Sequence, residues 1–486
     1  MALESRSINA AGSAELCQFL MNQPPAVADQ PLLTPDSAEL HVTYREAFVV
    51  WLRIAALSFG GPTAQIAVMH RILVDEKRWI SEQRFLHALN YCMLLPGPEA
   101  QQLAVYIGWL LHRVKGGLTA GILFVLPGCL SIMALSIVYV VYQQTMLLQS
   151  VFFGLKAAII AIVIEAVLRI SKKALKNRMM VLLAALAFAA MYFFHVPFPL
   201  VIIAAGIIGW IGGRYSEHYF FVLKPQTKSA ADATAIPPAD RNVSEPYYQP
   251  SAMRALRVTV ICLILWFAPI GVCWSVFGAN SVYFQEGIFF SKMAVVTFGG
   301  AYSVLAYVAQ QAVEVFGWLS APEMLDGLGL AETTPGPLIM VVQFVGFLGA
   351  YRQPAPLTPL WGGILASLIT TWVTFVPCFM YIFAGAPYIE ALRNNKSLST
   401  ALSSITAAVV GVVLNLAVWL ALKTLFRTSV EVTYGPLHVL WPDWSTLNVA
   451  ALGITIAACY MTFKLHWNLF QTLAVCTIAG WFLYAA

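Results

Sequence analysis

The sequence predicts an all-α polytopic membrane protein built as two homologous halves of inverted topology, with broken or re-entrant helices. Three observations predict it: a composition too apolar for water, a run of membrane-length apolar segments, and self-similarity at an offset of 239 residues. Of 486 residues, 59% are hydrophobic and 10% charged, with a mean hydropathy of +0.74. A soluble protein carries about 45–50% apolar and about 25% charged residues. The polar coats of two or three soluble domains therefore cannot be made. That excludes a soluble enzyme, a nucleic-acid binder and a disordered scaffold. The net charge of +5 does not require an acidic partner, because excess Lys and Arg in a membrane protein marks cytoplasmic loops.

Taken in order, residues 1–44 are polar with scattered charge and read as a disordered cytoplasmic tail. They lack the basic-then-apolar pattern of a cleavable signal peptide. Apolar segments follow at 45–69, 85–111, 118–141, 151–170, 179–195, 198–213, 256–276, 286–312, 324–351, 361–384, 399–422, 446–463 and 467–484. A spanning helix needs about 20 residues. The long polar interruption lies at 214–255 and reads as a cytoplasmic linker. The expected organisation is thus an N-terminal repeat at 45–213, the linker, a linking transmembrane helix at 256–276 and a C-terminal repeat at 277–486.

The halves match residue by residue. Ser58-Phe59-Gly60-Gly61 returns as Thr297-Phe298-Gly299-Gly300, Trp79 as Trp318, and Pro96-Gly97-Pro98 as Pro335-Gly336-Pro337. Arg53 meets Lys292 and Arg113 meets Arg352 at the same offset; further on the offset becomes 250, pairing Pro127 with Pro377. Such an ordered series reads as an internal duplication.

Basic residues set the orientation. Loop 70–84 holds Arg71, Lys77, Arg78 and Arg84, loop 112–117 holds Arg113 and Lys115, and loop 169–178 holds five basic residues and no acid. These are expected in the cytoplasm, and the uncharged loop 142–150 outside. The stretch 313–351, with four acids and no Lys or Arg, is also expected outside. One odd crossing at 256–276 produces the flip, so the halves are expected antiparallel. The N-terminus falls in the cytoplasm and the C-terminus outside.

Segments 45–69 and 85–111 each begin and end on the basic side and carry a breaker at the middle, Gly60-Gly61-Pro62 and Pro96-Gly97-Pro98. They read as re-entrant hairpins, with kinked spanning helices as the alternative. Broken helices at membrane depth are tolerated where they are buried in protein or line a wet cavity. Each break leaves free N–H groups and a positive helix end pointing at it. Four such ends meeting centrally would hold an anion. The hydroxyls of Ser58, Thr63, Thr297, Ser303, Thr333 and Thr334 add donors beside the breaks; the plain alternative is glycine-mediated helix packing.

Arg53 and Lys292 each lie five residues before the hydroxyl that opens the FGG motif, about 7–8 Å along a helix. They are candidate gate or site cations, unless they snorkel to the headgroups. Lys156 sits inside an apolar run, where an ionisable residue faces a cavity or a partner; Glu165, nine residues on, is too far for a direct pair on one helix. Glu99, after Pro98, and Glu332, before Thr333, are candidate protonatable gates, although Glu99 also suits a helix start. His70 and His87 flank the basic loop and read as interfacial. The eight cysteines include no CxxC or Cys/His cluster and read as small buried hydrophobes. No P-loop is present for ATP hydrolysis. The sequons at Asn242 and Asn395 fall in loops placed inside and read as chance.

The run Ser58-Phe59-Gly60-Gly61-Pro62 through Gln65, Trp79, and Leu94-Leu95-Pro96-Gly97-Pro98-Glu99-Ala100-Gln101-Gln102-Leu103 resembles the chromate ion transporter family. So do Thr297-Phe298-Gly299-Gly300-Ala301-Tyr302 and Ala331-Glu332-Thr333-Thr334-Pro335-Gly336-Pro337. The resemblance covers about residues 44–485, the long two-domain form. It implies a bacterial cytoplasmic-membrane carrier that exports chromate, confers chromate resistance and couples to the proton motive force. It also implies two domains of opposite topology, and places Gln102 with the gate or coupling candidates. Ala301 stands where the first half has Pro62, so the two FGG breaks are expected to differ.

A dianion leaving a cell at roughly 150 mV gains about 7 kcal/mol, so efflux needs no ATPase. Expected partners are chromate, with sulfate or another tetrahedral oxyanion as the rival cargo, and the lipid bilayer. No nucleic acid and no cofactor or metal are expected, and a homodimer is allowed. The rival of another class is an intramembrane enzyme. A Ser58–His70 dyad is opposed by depth, and a thiol reductase lacks paired thiols or a cofactor motif.

Overall fold

Thr43 opens the first helix: its hydroxyl accepts the Glu46 N–H and caps α1 (Tyr44–Leu57), satisfying one of the donors that a helix start leaves free. The computed structural model describes residues 42–215, 220, 237–242, 249–388, 396–435 and 437–485. Residues 1–41 of the expected tail, most of the expected linker and Asn395 lie outside them, while Thr43 and Tyr44, counted in that tail, belong to the start of α1. α1 stops at Ser58; α2 (Gly61–His70) restarts after Gly60 and runs into a π-helical turn, Arg71–Glu76. α3 (Glu82–Cys92) precedes the Pro96-Gly97-Pro98 break. α4 (Glu99–Tyr142) is two helical arms folded back at His112 and Arg113, whose dihedrals leave the helical region. The fold-back is close because both sides carry glycine: a Cβ on Gly108 would stand 2.5 Å from the Gly116 carbonyl oxygen. α5 (Met146–Ala174), α6 (Arg178–Phe194) and α7 (Phe198–Tyr215) complete this half.

Between the halves, the short α8 (Pro238–Asn242) sits beside the basic loop, where the Ala239 N–H donates to the Trp79 carbonyl at 3.0 Å. α9 (Ala252–Phe277) buries only Trp266, Ile270 and Cys273, leaving an apolar exterior suited to lipid.

The same order of elements then recurs. α10 (Val282–Val296) breaks at Thr297–Gly300, α11 (Ala301–Gln310) runs into a second π-helical turn at Gln311–Val315, and α12 (Ala321–Thr333) ends at the second Pro-Gly-Pro. A 3₁₀ turn, Leu338–Met340, leads into α13 (Val341–Arg352), and α14 (Pro359–Gly385) follows after an open loop where the first half has its tight fold-back. Even local bonds repeat: Trp79 N–H to Leu73 O at 2.9 Å and Trp318 N–H to Ala312 O at 2.8 Å. α15 (Lys396–Leu425), α16 (Val449–Phe463) and α17 (Leu469–Ala485) close the chain.

The reading of the sequence contains no strand, and here the structure adds one element. β1 (Ser429–Tyr434) and β2 (Leu437–Pro442) form an antiparallel hairpin between α15 and α16. It is an insertion: α6 and α7 begin at 178 and 198, α16 and α17 at 449 and 469, so the offset grows to 271 there.

The halves interlock. α5 packs on α16 and α17 of the second half, and α15 packs on α6 and α7 of the first. α4, α5, α7, α9, α14 with its 3₁₀ end, and α15 are long and apolar enough to cross a membrane. The chain is a helical, multi-pass membrane protein.

Candidate functional site

Glycine and proline end each helix pair at its middle, and the four ends meet. The Gly97 N–H donates to the Thr297 carbonyl at 2.7 Å, and the Gly336 N–H donates to the Ser58 carbonyl at 2.8 Å. Each Pro-Gly-Pro of one half therefore bonds the FGG break of the other, reciprocally. Both glycines hold positive φ, +111° at Gly97 and +98° at Gly336, a region closed to most side chains. Close approach adds to this. A Cβ on Gly97 would lie 2.9 Å from the Cys378 sulfur, and one on Gly336 would lie 3.1 Å from the Gly128 Cα. Gly128 stands fourteen residues from each end of the α4 arm 114–142, about 21 Å either way, so the crossing lies at mid-helix.

Pro98 precedes α4, Pro337 precedes the 3₁₀ turn into α13, Gly60 precedes α2 and Gly300 precedes α11. All four helix starts point positive ends at the breaks. The FGG breaks differ as expected: α2 starts at Gly61 after a left-handed Gly60 (φ 79°, ψ 31°), whereas α11 starts one position later, at Ala301, after Gly300 in another positive-φ conformation (φ 96°, ψ 172°). Nothing lies within 4 Å of a Cβ built on Gly61 or Gly300. The N–H groups of Gly60, Gly61, Gly299 and Gly300 have no backbone partner among the described residues.

Most of the expected hydroxyl donors point elsewhere. Ser58 donates to Ile54 O at 2.6 Å, Thr297 to Met293 O at 2.5 Å, Ser303 to Phe298 O at 2.7 Å, Thr333 to Leu330 O at 2.9 Å and Thr334 to Ala331 O at 3.2 Å. Four of them quench carbonyls in the last turn of a helix, and Ser303 quenches one inside the break itself. Thr63 is exposed, Pro62 half-buried, and Phe59 packs edge-on to Phe470 of α17. The donors left free at the breaks are therefore backbone N–H groups. At the crossing, a cavity of about 10 Å³ lined by Gly97, Pro98, Thr297 and Thr374 holds about one water, so the centre is closed to an oxyanion.

The charged candidates divide. Arg53 does not reach the crossing: it is half-exposed and bonds Glu76 at 2.8 Å. Lys292 is exposed at the matching place. Lys156 finds its partner across the halves, not on its own helix: its Nζ lies 3.1 Å from Asp326 Oδ1 of α12, while Glu165 pairs with Arg169. Tyr139 donates to the other Asp326 oxygen at 2.8 Å. The buried Glu332 accepts the Tyr302 hydroxyl, joining the end of α12 to the start of α11. Glu99 occupies the first turn of α4, where the helix dipole favours it. Gln102 donates to Pro96 O at 2.6 Å, and the fully buried Gln65 to Gly336 O at 2.6 Å. His70 pairs with Asp75 and Glu82, and Ser58 is bonded to its own helix, so the two form no dyad.

Two residues were missed by the site prediction. Gln101 is fully buried with both amide atoms unpartnered among the described residues, and Glu286 of α10 is fully buried with neither carboxyl oxygen bonded to any of them. Glu286 was legible as the one acid in the apolar segment 286–312. Gln101 lies inside the quoted motif, but its burial follows from packing. The larger cavity, about 390 Å³ between α7 and α15, is lined by Ile203, Ile207, Trp210 and Leu398 and offers an anion almost no donors.

The profile of the chromate transporter family matches residues 45–210 and 284–481, two stretches whose starts are 239 residues apart. A chromate transport protein of Pseudomonas aeruginosa is 30% identical over 93% of this chain and 95% of its own. One of Cupriavidus metallidurans is 27% identical over 83% of this chain and 89% of its own. An uncharacterised transporter of Methanocaldococcus jannaschii is 25% identical over 77% and 84% respectively. No solved structure matches the chain.

Proposed function

The chain belongs to the chromate transporter family, and on that premise we propose that it carries chromate out of the cell as a secondary transporter of the bacterial inner membrane, and so confers chromate resistance. The observation that carries this reading is the reciprocal pair of bonds, Gly97 to Thr297 and Gly336 to Ser58. It brings four positive helix ends to one place at mid-helix, the arrangement that favours an anion in a membrane. The relatives named as chromate transport proteins supply the cargo.

The unbonded N–H groups at Gly60-Gly61 and Gly299-Gly300 are the first docking points on either side of the closed crossing. Passage then requires the two reciprocal bonds to open in turn, an alternating-access cycle around a fixed centre. Coupling to protons rests on Glu332. Held by Tyr302 beside the second FGG break, its carboxylate repels a dianion when ionised and not when protonated. Anion and proton occupancy are thereby linked positively, so a proton that travels with the dianion works against the pH gradient during export, and the membrane potential supplies the outward drive. The same donors accept sulfate.

The test is chromate flux in proteoliposomes of the purified chain under an imposed potential, with sulfate as competitor. Flux should follow the potential, and Glu332→Gln should keep flux while flattening its dependence on the pH gradient. Absence of chromate flux from sealed, protein-containing vesicles would sink the reading.

A further inference from the structure

The β1–β2 hairpin carries chemistry that the anion path does not use. Thr433 pairs with His438 and Glu431 with Leu440, so Glu431 and His438 are diagonal neighbours on one face of the hairpin. His438 Nδ1 lies 2.9 Å from Glu431 Oε1. The end of α6 supplies a third group: His195, in the left-handed conformation that stops the helix (φ 49°), points its Nδ1 at the same oxygen from 3.9 Å. The two imidazoles stack with centroids 4.7 Å apart. Their ligand atoms all lie within 4.8 Å of one another.

Two imidazoles and a carboxylate form a donor set for zinc, which binds His nitrogen and Glu oxygen at about 2.0–2.2 Å and leaves a fourth position for water. Ligand atoms at that range stand about 3.4 Å apart across a tetrahedral angle. The observed 2.9 and 3.9 Å bracket that value, and all three side chains are open enough to adjust. We propose that His195, Glu431 and His438 form a binding site for a divalent transition metal, zinc first, that ties the hairpin to the end of α6. The donor types exclude magnesium and calcium, which want oxygen. The site is separate from the helix breaks and stands whether or not the chain carries chromate.

The experiment uses the full chain in detergent with any affinity tag removed, and zinc alone as ligand in equilibrium dialysis. One zinc per chain is expected, with affinity reduced by at least about tenfold in His438→Ala, His195→Ala and Glu431→Gln. Cobalt supplies a second readout, a visible absorption band of tetrahedral type that each variant should lose. Elution as a single species on size exclusion, as in the wild type, checks folding. Zinc binding that is equal in wild type and the triple variant, or a wild type that binds none, would overturn the proposal.

Discussion

A lysine ten residues into an apolar helix must find an anion, water or a headgroup. Lys156 finds Asp326 of the other half at 3.1 Å, and Tyr139 completes the carboxylate. The residue type was legible in the sequence, but its partner was not, because the contact depends on how α5 meets α12. The hydroxyls teach the same lesson from the other side. Ser58 and Thr297 sit at the breaks as expected, yet both donate to the carbonyl four residues back, and no sequence pattern reports a rotamer. Removing one partner from a buried pair leaves an uncompensated charge. Lys156→Met or Asp326→Leu alone should therefore cost about 3 kcal/mol, the low end of the usual range, since the Lys156 side chain keeps 22% exposure. The double variant should regain most of it. Thermal unfolding in detergent reads this directly, and additive losses in the double variant would mean that the two charges are not coupled.

At the scale of elements, the breaks were the most legible feature, because Gly and Pro act on the backbone whatever surrounds them. All four appear within a residue or so of the expected places. The four acids of 313–351 were less legible. Glu323 is bonded to Arg352, while Asp326 and Glu332 are buried in α12, so only Glu314 remains as surface charge and the orientation signal rests on the missing Lys and Arg. The hairpin went unread although its signal was present: Ser429-Val-Glu-Val-Thr-Tyr alternates with a period of two, and the β-branched and aromatic run Leu437-His-Val-Leu-Trp follows the turn signal Gly435-Pro436. Its base is closed by the Phe426–Leu447 bridge, and the first half joins α5 to α6 through residues 175–177 alone. Replacing 429–445 by a short Gly/Ser link should thus leave membrane insertion and anion flux intact. Loss of the folded protein on size exclusion would instead make the hairpin a brace for α6.

For the whole molecule, the open question is whether matching ends of the two halves face opposite sides. Helices serve as rulers. The second arm of α4 starts beside α1, where Tyr44 bonds Thr119, and reaches α12 of the other half, where Tyr139 bonds Asp326. The twenty residues between 119 and 139 span about 30 Å, the thickness of the hydrocarbon core. α14 runs the reverse course, from beside Ala350 at Gly362 to Tyr381, whose carbonyl accepts the Tyr91 hydroxyl of α3. Each of these two helices thus runs about a membrane's thickness from one half to the other, and the antiparallel reading drawn from the basic loops predicts that matching ends then face opposite sides. Asp75 and Glu314 make the decisive pair, since they occupy the same place in the two π-helical turns, 239 residues apart, and both are exposed. With the native cysteines replaced by Ala, Asp75→Cys should react with an impermeant maleimide only from the cytoplasmic side of inverted vesicles. Glu314→Cys should react only in intact spheroplasts. Labelling of both from one side would make the halves parallel, and the reciprocal crossing would then have to serve two entrances on the same face.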